Sequence, residues 1–465
     1  MQHTFITHSG APRLILLFAG WGMDGRPFAG LRRDGYDIAV VWNYTSLDID
    51  WSFTAGYVEI CVVGWSMGVF AAAVTTRALE PRTSARIAVN GTLSPVDGLR
   101  GIAPHIFEGT LEGLDERNLM KFRRRMCGSA AAYAAFMEKA PTRAIDDLRE
   151  ELAAFEPEAT WFLSPMRRCD AAIVGRNDAI FPCAAQWRAW RGVPTEINEG
   201  PHLPDFQAII DRHILDKARV EERFGSGLQT YSNAAHVQKH VAEALTAAIC
   251  ESGAADTMRR RGARVLELGS GTGSLSRRLD TIAGRDTYIE TWDLAGESCL
   301  EGPRRHFRCT DAETGLWSLP SESFDVIASA STVQWFNSPT RFLAESCRVC
   351  APGGYVAFSA FVRGNLREVS DATHRALPLL SLDEWLALVP EGMTVSAARQ
   401  WDECADFGSA IDAFRHLKAT GVNALGRGSE GEQNIFKAIR RMQPYLDGVY
   451  RLTYRPFIII LRKKQ

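Results

Sequence analysis

The fold is decided by an apolar strand that runs into a glycine-rich turn, Val265-Leu266-Glu267-Leu268-Gly269-Ser270-Gly271-Thr272-Gly273. Glycines let the backbone adopt positive φ and let a ligand approach the main chain closely. The free amides at the start of the next helix, predicted over 274–282, would then face that ligand. Dinucleotide-binding proteins also use glycine turns, so the turn alone leaves the ligand open. The stretch predicts an α/β unit that binds a ligand at this turn.

Acidic residues follow the next two predicted strands. The strand at 287–292 ends in Asp293, whose carboxylate could accept hydrogen bonds from both hydroxyls of a ribose. Asp311 follows a third short strand, where it could flank an adenine ring, and the turn lacks the last glycine of the dinucleotide motif GxGxxG. Class I methyltransferases, which use S-adenosylmethionine, carry this series. The expected cofactor-binding residues are Glu267, Gly269, Gly271, Gly273, Asp293, Asp311 and Ala312.

A second glycine signal, Gly64-Trp65-Ser66-Met67-Gly68, lies between the predicted strand 60–63 and a predicted helix over 68–79. This is the context of a nucleophile elbow, where a strained turn exposes a serine hydroxyl. Such a serine needs a base, and the base needs an acid to orient it. Asp178 and His202 each follow a predicted strand, in the chain order expected of α/β-hydrolases. Competing acids are Asp170, Asp205 and Asp211, none of which follows a strand so directly.

Acyl transfer also needs donors for the oxyanion that develops on the substrate. The segment Phe18-Ala19-Gly20-Trp21-Gly22 ends the first predicted strand and resembles the hydrolase loop that offers one backbone amide. The predicted oxyanion donors are therefore the backbone amides of Trp21 and Met67. A core aromatic is the other interpretation of Trp21, and the two are compatible.

The 465 residues suggest two or three domains. Strands alternate with helices in both halves, which predicts doubly wound, mostly parallel sheets. Residues 1–216 are predicted to form an α/β-hydrolase with a helical cap at about 99–164. Residues 217–226 are predicted to be a linker, and residues 224–465 a class I, Rossmann-like methyltransferase.

Bulk properties restrict the function classes. No apolar run reaches the ~18 residues that span a bilayer, and no secretory signal is visible, so a cytoplasmic protein without membrane partners is expected. A net charge of −2 gives no indication of nucleic-acid binding. Cys347 and Cys350 have CxxC spacing but lack the further ligands that zinc normally needs, so no metal is predicted.

The C-terminal half resembles the malonyl-acyl-carrier-protein O-methyltransferase family of biotin synthesis, called BioC. The resemblance covers nearly all of 224–465, and Val333-Gln334-Trp335 is its most specific part. Further matching residues are Phe224, Tyr231, Ala235, Val237, Gln238, Ser331, Thr332, Phe414, Leu417, Lys418 and Gly421. The resemblance implies methylation of the free carboxylate of a malonyl thioester. Tyr231 and Gln334 are expected to line the site by position; ordinary packing near a helix end is the alternative for each.

The N-terminal half resembles the pimeloyl-carrier methyl ester esterase family called BioG, over most of residues 10–215. The matching segments are 17–24, 64–69 and Asn90-Gly91-Thr92, and the match is thin in the cap. Together the two resemblances imply a bifunctional enzyme with an acyl carrier protein as partner. Because such carriers are acidic, the basic cluster Lys121, Arg123, Arg124 and Arg125 is expected to dock the carrier at the mouth of the esterase site, with Arg124 as a substrate-binding residue; a solvated helix face is the alternative.

Two other functions remain open from the sequence. The same two activities could act on a small free acid instead of a carrier thioester. Alternatively, the hydrolase half could be inactive and serve only to recruit the carrier.

Overall fold

The computed structural model describes residues 1–155, 169–222, 225, 235–373, 377–420, 436–445 and 447–465. The described chain divides into two compact units, Met1–Ile214 and Leu215–Gln465. Each unit has its own sheet and its own buried clusters, and each is described by itself. The division falls two residues before the end of the predicted first domain.

The first unit contains a twisted sheet of seven strands among its described residues. Their order is β1-β3-β2-β4-β5-β6-β7, and every pairing is parallel except that of β1 with β3. The strands are β1 (Gln2–Thr7), β2 (Arg13–Phe18), β3 (Tyr36–Trp42), β4 (Glu59–Trp65), β5 (Thr83–Val89), β6 (Ala171–Gly175) and β7 (Thr195–Asn198). The central strands are buried on both faces, as parallel sheets covered by helices require.

Helices cover the sheet and build the cap. They are α1 (Met67–Thr75), α2 (Pro104–Glu112), α3 (Glu116–Cys127), α4 (Ala130–Glu138), α5 (Ile145–Ala153), α6 (Cys183–Ala189) and α7 (Phe206–His213). Helices α2 to α5 stand between β5 and β6, where the sequence predicts the cap. The predicted helix 68–79 ends earlier, at Thr75, and continues as a 3₁₀ helix over Thr76–Arg82 that contains Pro81.

The second unit contains a sheet in the order β10-β9-β8-β11-β12-β16-β13, with β16 antiparallel to both of its neighbours. Its strands are β8 (Arg264–Leu268), β9 (Tyr288–Asp293), β10 (Arg305–Cys309), β11 (Phe324–Ala330), β12 (Cys350–Phe361), β13 (Met393–Gln400) and β16 (Pro456–Lys463). A separate ribbon pairs β14 (Glu403–Phe407) with β15 (Tyr450–Tyr454).

Besides short helical segments at 217–222 and 436–441, the helices of the second unit are α8 (His236–Glu251), α9 (Ala254–Met258), α10 (Ser276–Ile282), α11 (Ala312–Trp317), α12 (Pro339–Val349), α13 (Arg367–Thr373), α14 (Leu382–Ala387) and α15 (Ala410–Ala419). Cys347 lies near the end of α12 and Cys350 begins β12; both are free thiols. In the described part of the chain, no helix is long and apolar enough to cross a membrane.

The fold class predicted from the sequence is confirmed in both units; the strands that sequence reasoning missed are the edge strands β1 and β13 and the two strands of the separate ribbon, β14 and β15. β1 and β13 are edge strands with mostly exposed or half-exposed side chains, so they lack the apolar runs by which central strands are recognised. The predicted linker 217–226 needs a correction at its start. Residues 217–222 are helical, and Lys217 is fully buried within the second unit.

Candidate active sites

The turn after β4 holds Ser66 in a strained conformation, with φ 58° and ψ −127°. Its neighbours must be small. A Cβ on Gly64 would lie 2.7 Å from Val69 Cα, and one on Gly68 would lie 2.4 Å from the carbonyl oxygens of Phe18 and Ala19. Only glycines permit this close approach, which is the physical reason for the GxSxG spacing.

Ser66, His202 and Asp178 form a hydrogen-bonded chain. Ser66 Oγ lies 2.9 Å from His202 Nε2, and His202 Nδ1 lies 2.9 Å from Asp178 Oδ2. All three side chains are buried. The geometry suits an imidazole that donates from Nδ1 to the carboxylate and accepts the serine proton at Nε2.

Surrounding groups fix the acid and the base. Asp178 Oδ1 accepts hydrogen bonds from the amides of Ile180 and Phe181 at 2.8 Å, and Oδ2 accepts one from the Gln186 side chain at 3.0 Å. The Phe181 ring is stacked parallel to the His202 imidazole. Sequence reasoning missed Gln186, which lies one turn after the start of α6, because no local motif marks this position.

The competing acids have other partners. Asp170 accepts a hydrogen bond from the Arg86 amide, Asp205 caps the N-terminus of α7, and Asp211 pairs with Arg33. The structure therefore brings Asp178, and not its competitors, to His202.

The two predicted oxyanion donors lie at the ends of the segments that flank Ser66. Met67 is the first residue of α1, so its amide has no acceptor within that helix. Gly20 lies against the serine, since a Cβ there would stand 3.1 Å from Ser66 Cβ. The next residue, Trp21, is buried, and its indole donates to the Leu148 carbonyl at 2.8 Å. Trp21 therefore packs in the core, and its loop also lies close to Ser66.

The second unit has a mostly apolar cavity at the carboxyl ends of its parallel strands. The residues that line it include Lys217, Val220, Gln238, Glu267, Gly269, Gly271, Asp293, Asp311, Ala312, Ser331, Thr332, Trp335 and Phe336. Six of the seven predicted cofactor residues line the cavity: Glu267, Gly269 and Gly271 at the end of β8 and in the turn after it, Asp293 at the end of β9, and Asp311 and Ala312 after β10. This is where ligands bind in open parallel sheets.

The three glycines of the turn have positive φ, and each has a different neighbour. A Cβ on Gly269 would meet Thr332 Oγ1 at 2.0 Å, one on Gly273 would meet Cys299, and one on Gly271 would meet nothing within 4 Å. Gly273 does not line the cavity among the described residues, so its part is to pack the turn.

Four backbone amides of the turn are hydrogen-bonded within the protein. The amides of Gly269 and Ser270 donate to the Trp292 carbonyl, that of Gly273 donates to Ser270, and that of Gly271 donates to Asp293 Oδ2 at 2.7 Å. These four amides are therefore used within the protein, and the prediction that free amides at the start of the next helix face the ligand stays a prediction. The glycines provide space and curvature, while acidic side chains supply the polar groups.

Two of those acids are perturbed by burial. The Glu267 carboxyl is fully buried; Ser276 lies nearby, but neither carboxylate oxygen has a hydrogen-bond partner of normal geometry among the described residues. Burial raises its pKa to about 7; the nearby Ser276 hydroxyl offsets part of the rise and the Asp293 charge adds to it. Burial also raises the pKa of Asp293, against hydrogen bonds from the amides of Gly271 and Ala295.

Asp311 is held by a lysine that sequence reasoning missed. Lys217 Nζ lies 2.8 Å from Asp311 Oδ2 and 2.7 Å from Glu313 Oε2. The Asp311 carboxylate also caps α11 by accepting from the Glu313 amide. The buried Glu313 accepts from the amides of Asn337 and Ser338, which lie beside the V-Q-W segment. A lone lysine in a charged stretch carries no signal that could have assigned it to this network.

The predicted substrate residues have different outcomes. Tyr231 lies outside the described residues. Gln334 donates to the Ser331 carbonyl and is absent from the described lining of the cavity, to which Ser331, Thr332 and Trp335 contribute instead. Arg124 is exposed on α3 and packs over the Tyr133 ring. Arg123 is a correction to the basic cluster, because it is buried against Phe136 and points away from solvent.

Comparisons with known proteins match both halves of the chain. Residues 1–207 match the family described as pimeloyl-ACP methyl esterase BioG, and residues 266–358 match a methyltransferase domain family. The chain is 34% identical to a malonyl-[acyl-carrier protein] O-methyltransferase from Bacteroides fragilis, over 98% of this chain and 95% of that protein.

Matches to each half alone also occur. A malonyl-[acyl-carrier protein] O-methyltransferase from Haemophilus influenzae is 30% identical over 53% of this chain and 95% of its own length. The crystal structure of BioG from the same organism is 32% identical over 43% of this chain and 94% of that chain, with a TM-score of 0.41.

Proposed function

Because the chain belongs to the malonyl-[acyl-carrier protein] O-methyltransferase family and contains a BioG esterase domain, we propose that it acts twice in biotin synthesis. The second unit methylates the free carboxylate of a malonyl thioester. The first unit hydrolyses the methyl ester of a pimeloyl thioester. Both thioesters are carried by acyl carrier protein, and the methyl donor is S-adenosylmethionine.

The esterase proposal rests on two hydrogen bonds, from Ser66 Oγ to His202 Nε2 and from His202 Nδ1 to Asp178 Oδ2, each with a distance of 2.9 Å. His202 takes the serine proton as Oγ attacks the ester carbonyl, and Asp178 stabilises the imidazolium that results. The amides of Trp21 and Met67 would donate to the oxyanion. His202 then returns the proton to the departing methanol, and water repeats the sequence on the acyl-enzyme.

The residues that line the cavity of the second unit fit a cationic nucleoside cofactor. Glu267 offers a buried carboxylate whose oxygens have no hydrogen-bond partner of normal geometry in the described chain, which suits an ammonium group, and Gly271 leaves open space beside it. Asp293 retains acceptor capacity for ribose hydroxyls, and Asp311 and Ala312 would flank the adenine. S-adenosylmethionine supplies an electrophilic methyl group. The malonyl carboxylate is already ionised at pH 7, so these residues need only align the two groups and no base is required.

The carrier would dock on the exposed face of α3. Arg117, Lys121 and Arg124 follow one another at helical spacing, and all three are exposed, as is Arg125. An acidic carrier protein complements this surface, which adds mainly to the rate of encounter. Arg124→Glu is expected to raise KM for a carrier-bound ester and leave hydrolysis of a small free ester unchanged. Arg191→Glu, an exposed charge reversal outside the cap, is the control.

Mass spectrometry of the carrier tests the whole proposal. Malonyl-carrier should gain one methyl group with S-adenosylmethionine, and methyl-pimeloyl-carrier should lose one without it. Ser66→Ala should abolish only the second reaction. Methylation of free malonate as efficient as that of malonyl-carrier would favour a small-acid enzyme instead. Absence of hydrolysis by the unaltered protein would favour a hydrolase unit that only recruits the carrier.

A further inference from the structure

The cap helix α5 contacts the loop that follows β2. Glu151 on this helix is fully buried, and its Oε2 accepts a hydrogen bond from the Gly22 amide at 3.2 Å. Its Oε1 accepts from the Tyr44 amide at 2.9 Å, and Arg143 pairs with Oε2 at 2.5 Å. One turn earlier on α5, the Leu148 carbonyl accepts from the Trp21 indole at 2.8 Å. The Trp21 side chain and the peptide bond that follows Trp21 are therefore both hydrogen-bonded to the cap.

We propose that Glu151 is a positioning residue for ester hydrolysis, which holds the Trp21 backbone amide in the direction needed to stabilise the oxyanion. The inference rests on the proposed esterase function and adds to it a role for the cap beyond substrate recognition. Trp21 has two soft backbone dihedrals. The bond from the Gly22 amide to Glu151 orients the peptide after Trp21, and the indole bond orients its side chain, so together they restrict the direction of its own N–H.

The charge state of Glu151 matters for this role. Burial raises the pKa of Glu151, and the Arg143 guanidinium together with the Tyr44 and Gly22 amides opposes that rise. Three donors converge on the two oxygens, and all three require an acceptor. A carboxylate satisfies them, whereas a carboxamide turns an amino group towards at least one. Glu151→Gln therefore breaks the arrangement with almost no change in volume.

Two esters separate positioning from substrate binding. For Glu151→Gln we expect kcat to fall about tenfold, short of the loss of a complete oxyanion donor, with KM little changed. The same fall should appear with a methyl pimeloyl thioester and with p-nitrophenyl acetate, which is too short to need the cap. Affinity for a trifluoromethyl ketone, which forms a tetrahedral oxyanion with Ser66, should fall by the same factor. Glu150→Gln, an exposed neighbour on α5, is the matched control and should behave as the unaltered protein.

A change confined to KM for the long substrate would overturn the inference and leave Glu151 as a cap-packing residue. Unchanged kinetics with both esters would overturn it as well. If Glu151→Gln does not fold, Trp21→Phe keeps the backbone amide but removes the indole donor to Leu148, and it should lower kcat and ketone affinity together. Failure of the unaltered protein to hydrolyse either ester would instead contradict the proposed function itself.

Discussion

Lys217 Nζ lies 2.8 Å from Asp311 Oδ2, so the carboxylate expected to flank the adenine is already ion-paired within the protein. The lysine is buried, and the same ammonium reaches Glu313 at 2.7 Å. Two acidic side chains are thereby held by one cation at the edge of the cavity. The pairing orients Asp311 for the ligand and prevents repulsion between the carboxylates when the cavity excludes water.

Loss of this lysine should destabilise the second unit. Lys217→Met keeps the length of the side chain but leaves Asp311 and Glu313 without their shared cation, and breaking a buried pair this way costs about 3 kcal/mol or more. Thermal unfolding measures this loss of stability. The transition of the second unit is the one whose melting temperature rises when S-adenosylhomocysteine is added. The Kd for that ligand should also rise. Glu222→Ala, exposed on the same helical segment, should change neither quantity. An unaltered melting temperature in Lys217→Met would contradict the argument.

The identity of the esterase acid can be tested with a matched pair. Asp178→Asn should lower kcat for ester hydrolysis by about 10⁴-fold, because the carboxamide no longer stabilises the imidazolium or its tautomer. Asp205→Asn is the control: this aspartate competes with Asp178 in the sequence but caps α7, and asparagine caps a helix about as well. It should retain nearly full activity. Methyl transfer in the same samples checks that the protein concentrations are equal.

Sequence reasoning was most effective where a residue acts through its immediate context. Ser66 lies in a turn whose glycines are required by contacts with neighbouring backbone, so the motif carries the geometry with it. The same holds for the strand ends at Asp178 and Asp293. Lys217, Glu151 and Gln186 instead reach their partners across 94, 129 and 8 residues of chain, at positions that no local pattern marks. Their roles depend on tertiary packing, which a single sequence does not display.

Glu267 predicts an unusual pH dependence for the second unit. Its folded pKa of about 7 lies above the ordinary 4.5, so between these values the folded protein holds a proton that the unfolded chain releases. Stability of the ligand-free unit should therefore fall as pH rises from about 4.5 to 7, by on the order of 3 kcal/mol from this group. Glu267→Gln should flatten this slope in urea titrations across pH. Glu301→Gln, an exposed position, should preserve it.

Ligand binding should show the opposite trend with pH. A cationic ligand favours the ionised carboxylate, so the affinity for S-adenosylmethionine should increase between pH 6 and 8. Calorimetry in buffers of different ionisation enthalpy should detect proton release near pH 7. Equal heats in all buffers would show that Glu267 does not change its protonation when the ligand binds.

The esterase must discriminate chain length, since hydrolysis of methyl malonyl-carrier would undo the first reaction. A pimeloyl chain has four more methylenes than a malonyl chain, and burial of each is worth ~0.8 kcal/mol, which gives roughly 3 kcal/mol in total. We expect kcat/KM to favour the pimeloyl ester by about 200-fold, rising about fourfold with each methylene in a series of methyl esters. Equal efficiency across the series would remove the basis for having both activities in one chain.

Substitutions at two glycines of the cofactor turn should separate an effect on stability from an effect on ligand binding. Gly269→Ala places a Cβ 2.0 Å from Thr332 Oγ1 at a positive φ, so it should destabilise the unit and lower its melting temperature markedly. Gly271→Ala meets no atom within 4 Å and has only the backbone strain, about 1 kcal/mol. Its methyl group would stand in the open cavity, so the affinity for S-adenosylhomocysteine should fall well beyond the small change in stability. Unchanged affinity in Gly271→Ala would show that the ligand does not lie against this turn.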